Sequence, residues 1–122
     1  MTRDEMVDHI DRAADAVRQT LVGDPVRAFE YERAADEARA FAAAGYTGTV
    51  PPTLQAWMDA RGWDATTAAN DILREAAMFN YALNHIRKTR LVGKYAVRDA
   101  ETDDAANVAY QTAIATIKAI LK

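Results

Sequence analysis

Apolar positions recur at intervals of three and four along most of this chain, the spacing that gathers side chains on one face of an α-helix. From Thr2 to Val22 the residues Val7, Ile10, Ala14, Val17 and Leu21 form such a stripe, with charged residues on the other faces. Gly23 supplies a C-terminal stop, and Asp24 followed by Pro25 reads as the N-cap and first-turn proline of a second helix. That helix runs to about Ala44 and is ended by Gly45, with Glu30, Glu32, Asp36 and Glu37 interleaved with Arg27, Arg33 and Arg39 on its solvent side. The stretch 45–52, GYTGTVPP, holds two of the five glycines and two of the three prolines, so it is a non-helical connection. A short helix from Pro52 to Arg61, stopped by Gly62, places Leu54, Trp57 and Met58 on one face. Trp63 then precedes Asp64, the predicted N-cap of the longest helix, and stands as the outer half of a hydrophobic staple.

From Ala65 the series Ile72, Ala76, Phe79, Leu83, Ile86 alternates steps of four and three, the seam of a helix packed along a partner helix. Leu91, Val92 and Tyr95 lie off that stripe around Gly93, so the helix either turns a new face to a new neighbour or breaks there; continuation to about Ala100 is the expectation. Thr102 or Asp103 caps a last helix, Asp104 to Leu121, with Val108, Ile114, Ile117 and Leu121 as its buried side. The sum is an all-α protein, a helical bundle of about five helices with one long helix. It is expected as a single domain over 1–122, with an N-terminal helical hairpin over 1–44, a loop and short helix over 45–64, and the long and C-terminal helices over 65–122. A continuous helix from Ala65 to Ala100 would be ~50 Å long, against a radius of gyration of ~14 Å for a compact domain of this size. That mismatch points to an elongated or oligomeric protein.

Composition narrows the chemistry. The absence of cysteine removes disulfides, thiolate zinc sites and cysteine nucleophiles, and the absence of serine removes serine triads. A net charge of −3 argues against a nucleic-acid partner. No apolar run approaches the ~20 residues that span a bilayer, so no membrane role is expected. His9 and His85 lie on different helices without a second ligand at metal-binding spacing, and the Asp71/Glu75 pair reads as a solvated face. The acidic group Asp99, Glu101, Asp103 and Asp104 lacks the glycine and terminal glutamate of a calcium loop and suits the start of the last helix. Gly45 and Gly48 have no lysine at Walker spacing. No catalytic, cofactor or metal site is therefore expected.

Two groups remain as candidate partner-binding residues. Trp57 and Trp63 bracket the short helix, and aromatic residues so placed are core anchors or fill a partner groove. Arg87, Lys88, Arg90, Lys94 and Arg98 lie in a stretch, Ala76 to Arg98, that contains no acidic residue. Such a run binds phosphate or forms ion pairs between helices or subunits.

The segments EARAFAAAGYTGTVPPTLQAWMDARGW (37–63), AANDIL (68–73) and IRKTRLVGKYAVR (86–98) together resemble a family of small helical proteins associated with the tails of bacteriophages and prophages. The resemblance spans Glu30 to Ala100. It implies a structural or assembly role in the virion tail, with the host cytoplasm as the place of assembly, contacts with copies of itself and with other phage tail proteins, and no enzymatic activity. The alternative expectation is a phage-encoded nucleic-acid-binding or regulatory protein that uses the basic stretch 87–98.

Overall fold

The structure, a computed structural model, describes residues 1–121. It contains α1 (Arg3–Val22), α2 (Pro25–Ala43), α3 (Pro52–Arg61), α4 (Ala65–Asp99) and α5 (Asp103–Ala119), with no strand among the described residues. The all-α class and the five helices agree with the periodicity.

Side-chain caps fix four of the five helix starts. Thr2 and Glu5 form a reciprocal capping box, each side chain on the other's backbone N–H at 3.1 Å. Asp24 accepts from Val26 N at 2.9 Å, Asp64 from Thr67 N at 2.8 Å, and Thr102 from Ala105 N at 3.0 Å. Thr102, rather than Asp103, is thus the cap of α5. Each such bond satisfies an N–H that the helix leaves unpaired and contributes about 1 kcal/mol. At the start of α3, where Pro51 offers no cap, Glu37 reaches across from α2 and accepts from the Thr53 N–H and hydroxyl. Glu37 therefore does not belong to the solvent side of α2: its carboxylate serves another helix.

The chain divides into two compact units, one made of Met1–Gly23 with the chain from Tyr81 onward, the other of Asp24–Asn80. This grouping differs from the expected single domain with an N-terminal hairpin over 1–44, because α1 and α2 serve different cores. Met6, Val7, Ile10 and Ala14 of α1 join Ile86, Val97, Ala106, Tyr110, Ala113 and Ile117 in the first core. Ala35, Ala38 and Phe41 of α2 join Leu54, Ala68, Ala69 and Ile72 in the second. The Ile72–Ile86 seam is likewise shared: Ile72 and Ala76 belong to the second core and Ile86 to the first. A spacing of three and four says which face of a helix is buried, not by how many partners.

α4 runs unbroken through Gly93. A Cβ built on Gly93 would lie 2.6 Å from Ala113 Cβ and 3.6 Å from Ile10 Cδ1, so glycine is there for the close approach of α5 rather than for a break. The same approach decides the buried side of α5, which is Ala106, Tyr110, Ala113 and Ile117. Val108 and Leu121, expected inside, are 64% and 45% exposed. Ala113 stands where α4 comes closest, at Gly93, while Tyr110 and Ile117 bring bulk to the same buried side; Ile117 lies inside as expected and Ile114 packs at the edge of the core. The C-terminus of α4 has no glycine; instead Arg3 Nη1 donates to the carbonyls of Val97 (3.1 Å), Arg98 (3.2 Å) and Ala100 (2.6 Å). A cation on carbonyls that the helix end leaves unpaired complements its dipole.

In the second unit, α2 ends with Gly45 at φ 77° and Tyr46 at φ 60°. A left-handed tyrosine costs roughly 1–2 kcal/mol, offset by the Tyr46 N–H on Phe41 O (3.0 Å), an edge-on contact with the Phe41 ring and a 2.7 Å hydrogen bond from its hydroxyl to Asn70.

The Gly93 contact yields a direct expectation: Gly93→Ala forces α4 and α5 apart and lowers stability by about 1–3 kcal/mol. Ala113→Gly in the same chain recovers part of that loss, as chemical denaturation of the wild type and the two variants will show.

Candidate contact surface

The seven expected partner-binding residues lie in both units and do not form one group. Trp57 and Trp63 are in the second unit, and both are half-buried against its core. The Trp57 indole donates to Asp71 Oδ2 at 3.0 Å, and Arg74 pairs with the other carboxylate oxygen. Asp71 is only 8% exposed, which corrects its assignment to a solvated face: it is the polar anchor that lets the indole N–H enter the core paired. Trp63 packs on the same core while the Arg61 guanidinium lies 4.5 Å from its ring centroid. Both tryptophans thus do internal work.

The basic run divides too. Asp11 of α1 receives Arg90 Nη1 at 3.1 Å on one oxygen and Lys94 Nζ at 3.0 Å on the other, so these two cations join α4 to α1. Burial pushes the Asp11 carboxyl up, but the hydrogen bonds from Lys94 and Arg90 outweigh it and hold the group below the ordinary aspartate value. Arg87, Lys88 and Arg98 remain exposed. The two histidines sit with tyrosines: His9 Nδ1 is 2.6 Å from the Tyr110 hydroxyl, and His85 stacks on Tyr81. Among the described residues no group of three or more His, Cys, Asp or Glu side chains could hold a metal ion, and no helix is long and apolar enough to cross a membrane.

Another feature of the first unit was missed by reasoning from apolar stripes alone. Between Asp104 and Lys118 the thirteen residues AANVAYQTAIATI carry no charge, yet only one side of α5 is buried. Its outward side presents Ala105, Val108, Thr112, Ala115 and Ala119, all exposed and again spaced by three and four. Surface helices ordinarily turn charged residues to water. Beside α5, the second half of α4 exposes Tyr81 (74%), Val92 (60%) and Tyr95 (60%). Between the two helices runs a shallow groove of about 310 Å³ with Thr89, Gly93, Ala96, Ala109 and Ala113 among its lining residues. It adjoins a hollow of about 430 Å³ bounded by His85, Ala115, Thr116, Ala119 and Ile120. The sequence signal for this face is the uncharged run itself. What the arrangement offers is a mostly apolar, small-residue surface, edged by Lys88 and His85, suited to packing against another helix.

Fold and surface together define an all-α protein of five helices with an uncharged face on its first unit. No protein-family model, curated protein or solved structure matches the chain.

Because the Asp11 carboxyl is held low in the folded state, its ion pairs stabilise the protein above the ordinary carboxylate range and are lost as pH falls below about 4. Asp11→Asn should lower stability at pH 7 by about 1–2 kcal/mol. It should also flatten the fall in stability between neutral pH and about pH 3; thermal melts across that range provide the check.

Proposed function

We propose that this protein is a structural or assembly component of a bacteriophage tail, acting through helix-mediated contacts with copies of itself and with neighbouring tail proteins rather than through catalysis. The observation that carries the reading is the uncharged outward side of α5 together with exposed Tyr81, Val92 and Tyr95 of α4. A free surface of this kind is costly in water and is matched by a protein surface that covers it. The tail itself enters through the resemblance of 37–63, 68–73 and 86–98, and the proposed places of action are the virion tail and, during assembly, the host cytoplasm.

The basic run was the ground for a nucleic-acid reading. With Arg90 and Lys94 held by Asp11, three of its five cations, Arg87, Lys88 and Arg98, are left to meet phosphate. The contact residues proposed from sequence therefore shift in weight: Lys88 borders the α4–α5 groove, while Arg90, Lys94, Trp57 and Trp63 hold the protein's own helices.

Deleting the coding sequence from its phage or prophage and imaging the particles by electron microscopy tests the role. Tailless or misassembled tails are expected; normal tails in normal number would refute a structural or assembly function.

A further inference from the structure

The uncharged side of α5 carries a more specific reading. If Ala105, Val108, Thr112 and Ala115 are taken as the seam positions of a two-helix contact, one flank of that seam is Asp104, Gln111 and Lys118, spaced by seven. All three are exposed, and neither Asp104 nor Lys118 takes part in an ion pair among the described residues. The flank is thus acidic at the N-terminal end of the helix, neutral in the middle and basic at the C-terminal end. Such a pattern is complementary to itself in one arrangement only. When two copies of α5 lie antiparallel, equivalent flank positions face each other, so Asp104 meets Lys118 of the second copy, Lys118 meets its Asp104, and Gln111 meets Gln111. A parallel pair would set the flank against Ala109 and Thr116 and leave both charges unused.

The size of the face supports the same occupant. α5 has 17 residues, about 25 Å of helix. Alone, with a side-chain diameter of ~10 Å, it offers roughly 250 Å² in projection. Together with α4 at an interaxial distance of 8–10 Å the face doubles to roughly 500 Å², of the order needed for the ~800 Å² of accessible surface that each partner of a stable dimer buries. The contact must then include the rim of the α4–α5 groove, where Val92 stands exposed. An isologous interface sets each patch against itself, so a face of one charge sign would repel its copy. This one has neutral seam positions on α5 and opposite charges at the two ends of that helix, with Lys88 as the charged residue on the α4 rim.

We propose that the outward side of α5, with the adjoining rim of α4, is the seat of a second copy of the chain, the two α5 helices packing antiparallel about a two-fold axis near Tyr110 and Gln111. Val108 then packs on Thr112 of the second copy and Ala105 on its Ala115, while the Asp104–Lys118 pairs at the two ends set direction and register. The inference rests on the reading of this face as a protein-contact surface, and it names the partner.

Sedimentation of the full chain over a range of concentrations, with thermal melts of the same samples, is the test. The wild type should sediment as a dimer, and Val108→Lys, a change at an exposed position, should give a folded monomer. Asp104→Lys turns both end pairs repulsive and should weaken dimerisation about tenfold or more. The charge-swapped chain, Asp104→Lys with Lys118→Asp, should recover the dimer. That recovery cannot come from a steadier α5, because the swap puts each charge at the unfavourable end of the helix dipole. A wild type that remains monomeric, a dimer unaffected by Val108→Lys, or a swapped chain no tighter than the single variant would each overturn the proposal. A monomer whose deletion still abolishes tails would leave the assembly role standing and assign this face to another tail protein.

Discussion

The close approach of α4 and α5 at Gly93 and Ala113 is the constraint from which the first unit follows. A 2.6 Å separation between Ala113 Cβ and the place a Gly93 Cβ would take leaves no room for any larger residue on either side. Ala106 and Ala113 are the small residues on the inner line of α5, whereas Tyr110 and Ile117 of the same line join Ile10, Ile86 and Val97 in supplying the bulk of the core. α1 closes the unit: its apolar stripe covers the inner faces, Asp11 holds Arg90 and Lys94 on α4, and Arg3 caps the end of the same helix. The outer consequence is the groove. Two helices drawn together over glycine and alanine leave a shallow valley between them rather than a ridge of side chains.

Much of this architecture was legible in the sequence. Three helix starts were readable because their caps are local: Asp24, Asp64 and Thr102 each act on an N–H within three residues. The buried side of α1 was readable because large aliphatic residues mark it. The buried side of α5 was legible in part: Ile117 lies inside and Ile114 packs on the core as expected, whereas Val108 and Leu121 are exposed, because hydrophobicity alone does not show that the closest approach to α4 is made through Ala113. Continuation of α4 through Gly93 was expected and holds, but the reason for a glycine there, the approach of Ala113, leaves no mark in the sequence.

Legibility failed wherever a polar group acts over distance. Arg3 reaches carbonyls more than ninety positions away, Asp11 collects two cations from α4, Glu37 caps α3, and Asp71 receives Trp57. In sequence each of these reads as one more charge on a solvated face, because pairing across helices leaves no local periodicity. The tryptophans stood out as candidates through their size, yet the structure uses them internally. The candidate face on α5 was visible only as something missing: a thirteen-residue stretch of surface helix without a single charge.

The proposed antiparallel seat of a second copy on α5 rests on that missing charge. The absence of cysteine makes a direct distance measurement possible, with a spin label on a single introduced cysteine at Gln111 in one sample and at Asp103, which is exposed and outside the proposed end pairs, in another. Across an antiparallel pair centred near Tyr110 and Gln111, the two Gln111 positions are offset along the helix axis by only ~3 Å and the two Asp103 positions by ~21 Å. With the helix axes ~10 Å apart, the proposed dimer gives a short label–label distance at the first site and one roughly 10–15 Å longer at the second. Equal distances at both sites, or no dipolar coupling at either, would contradict it.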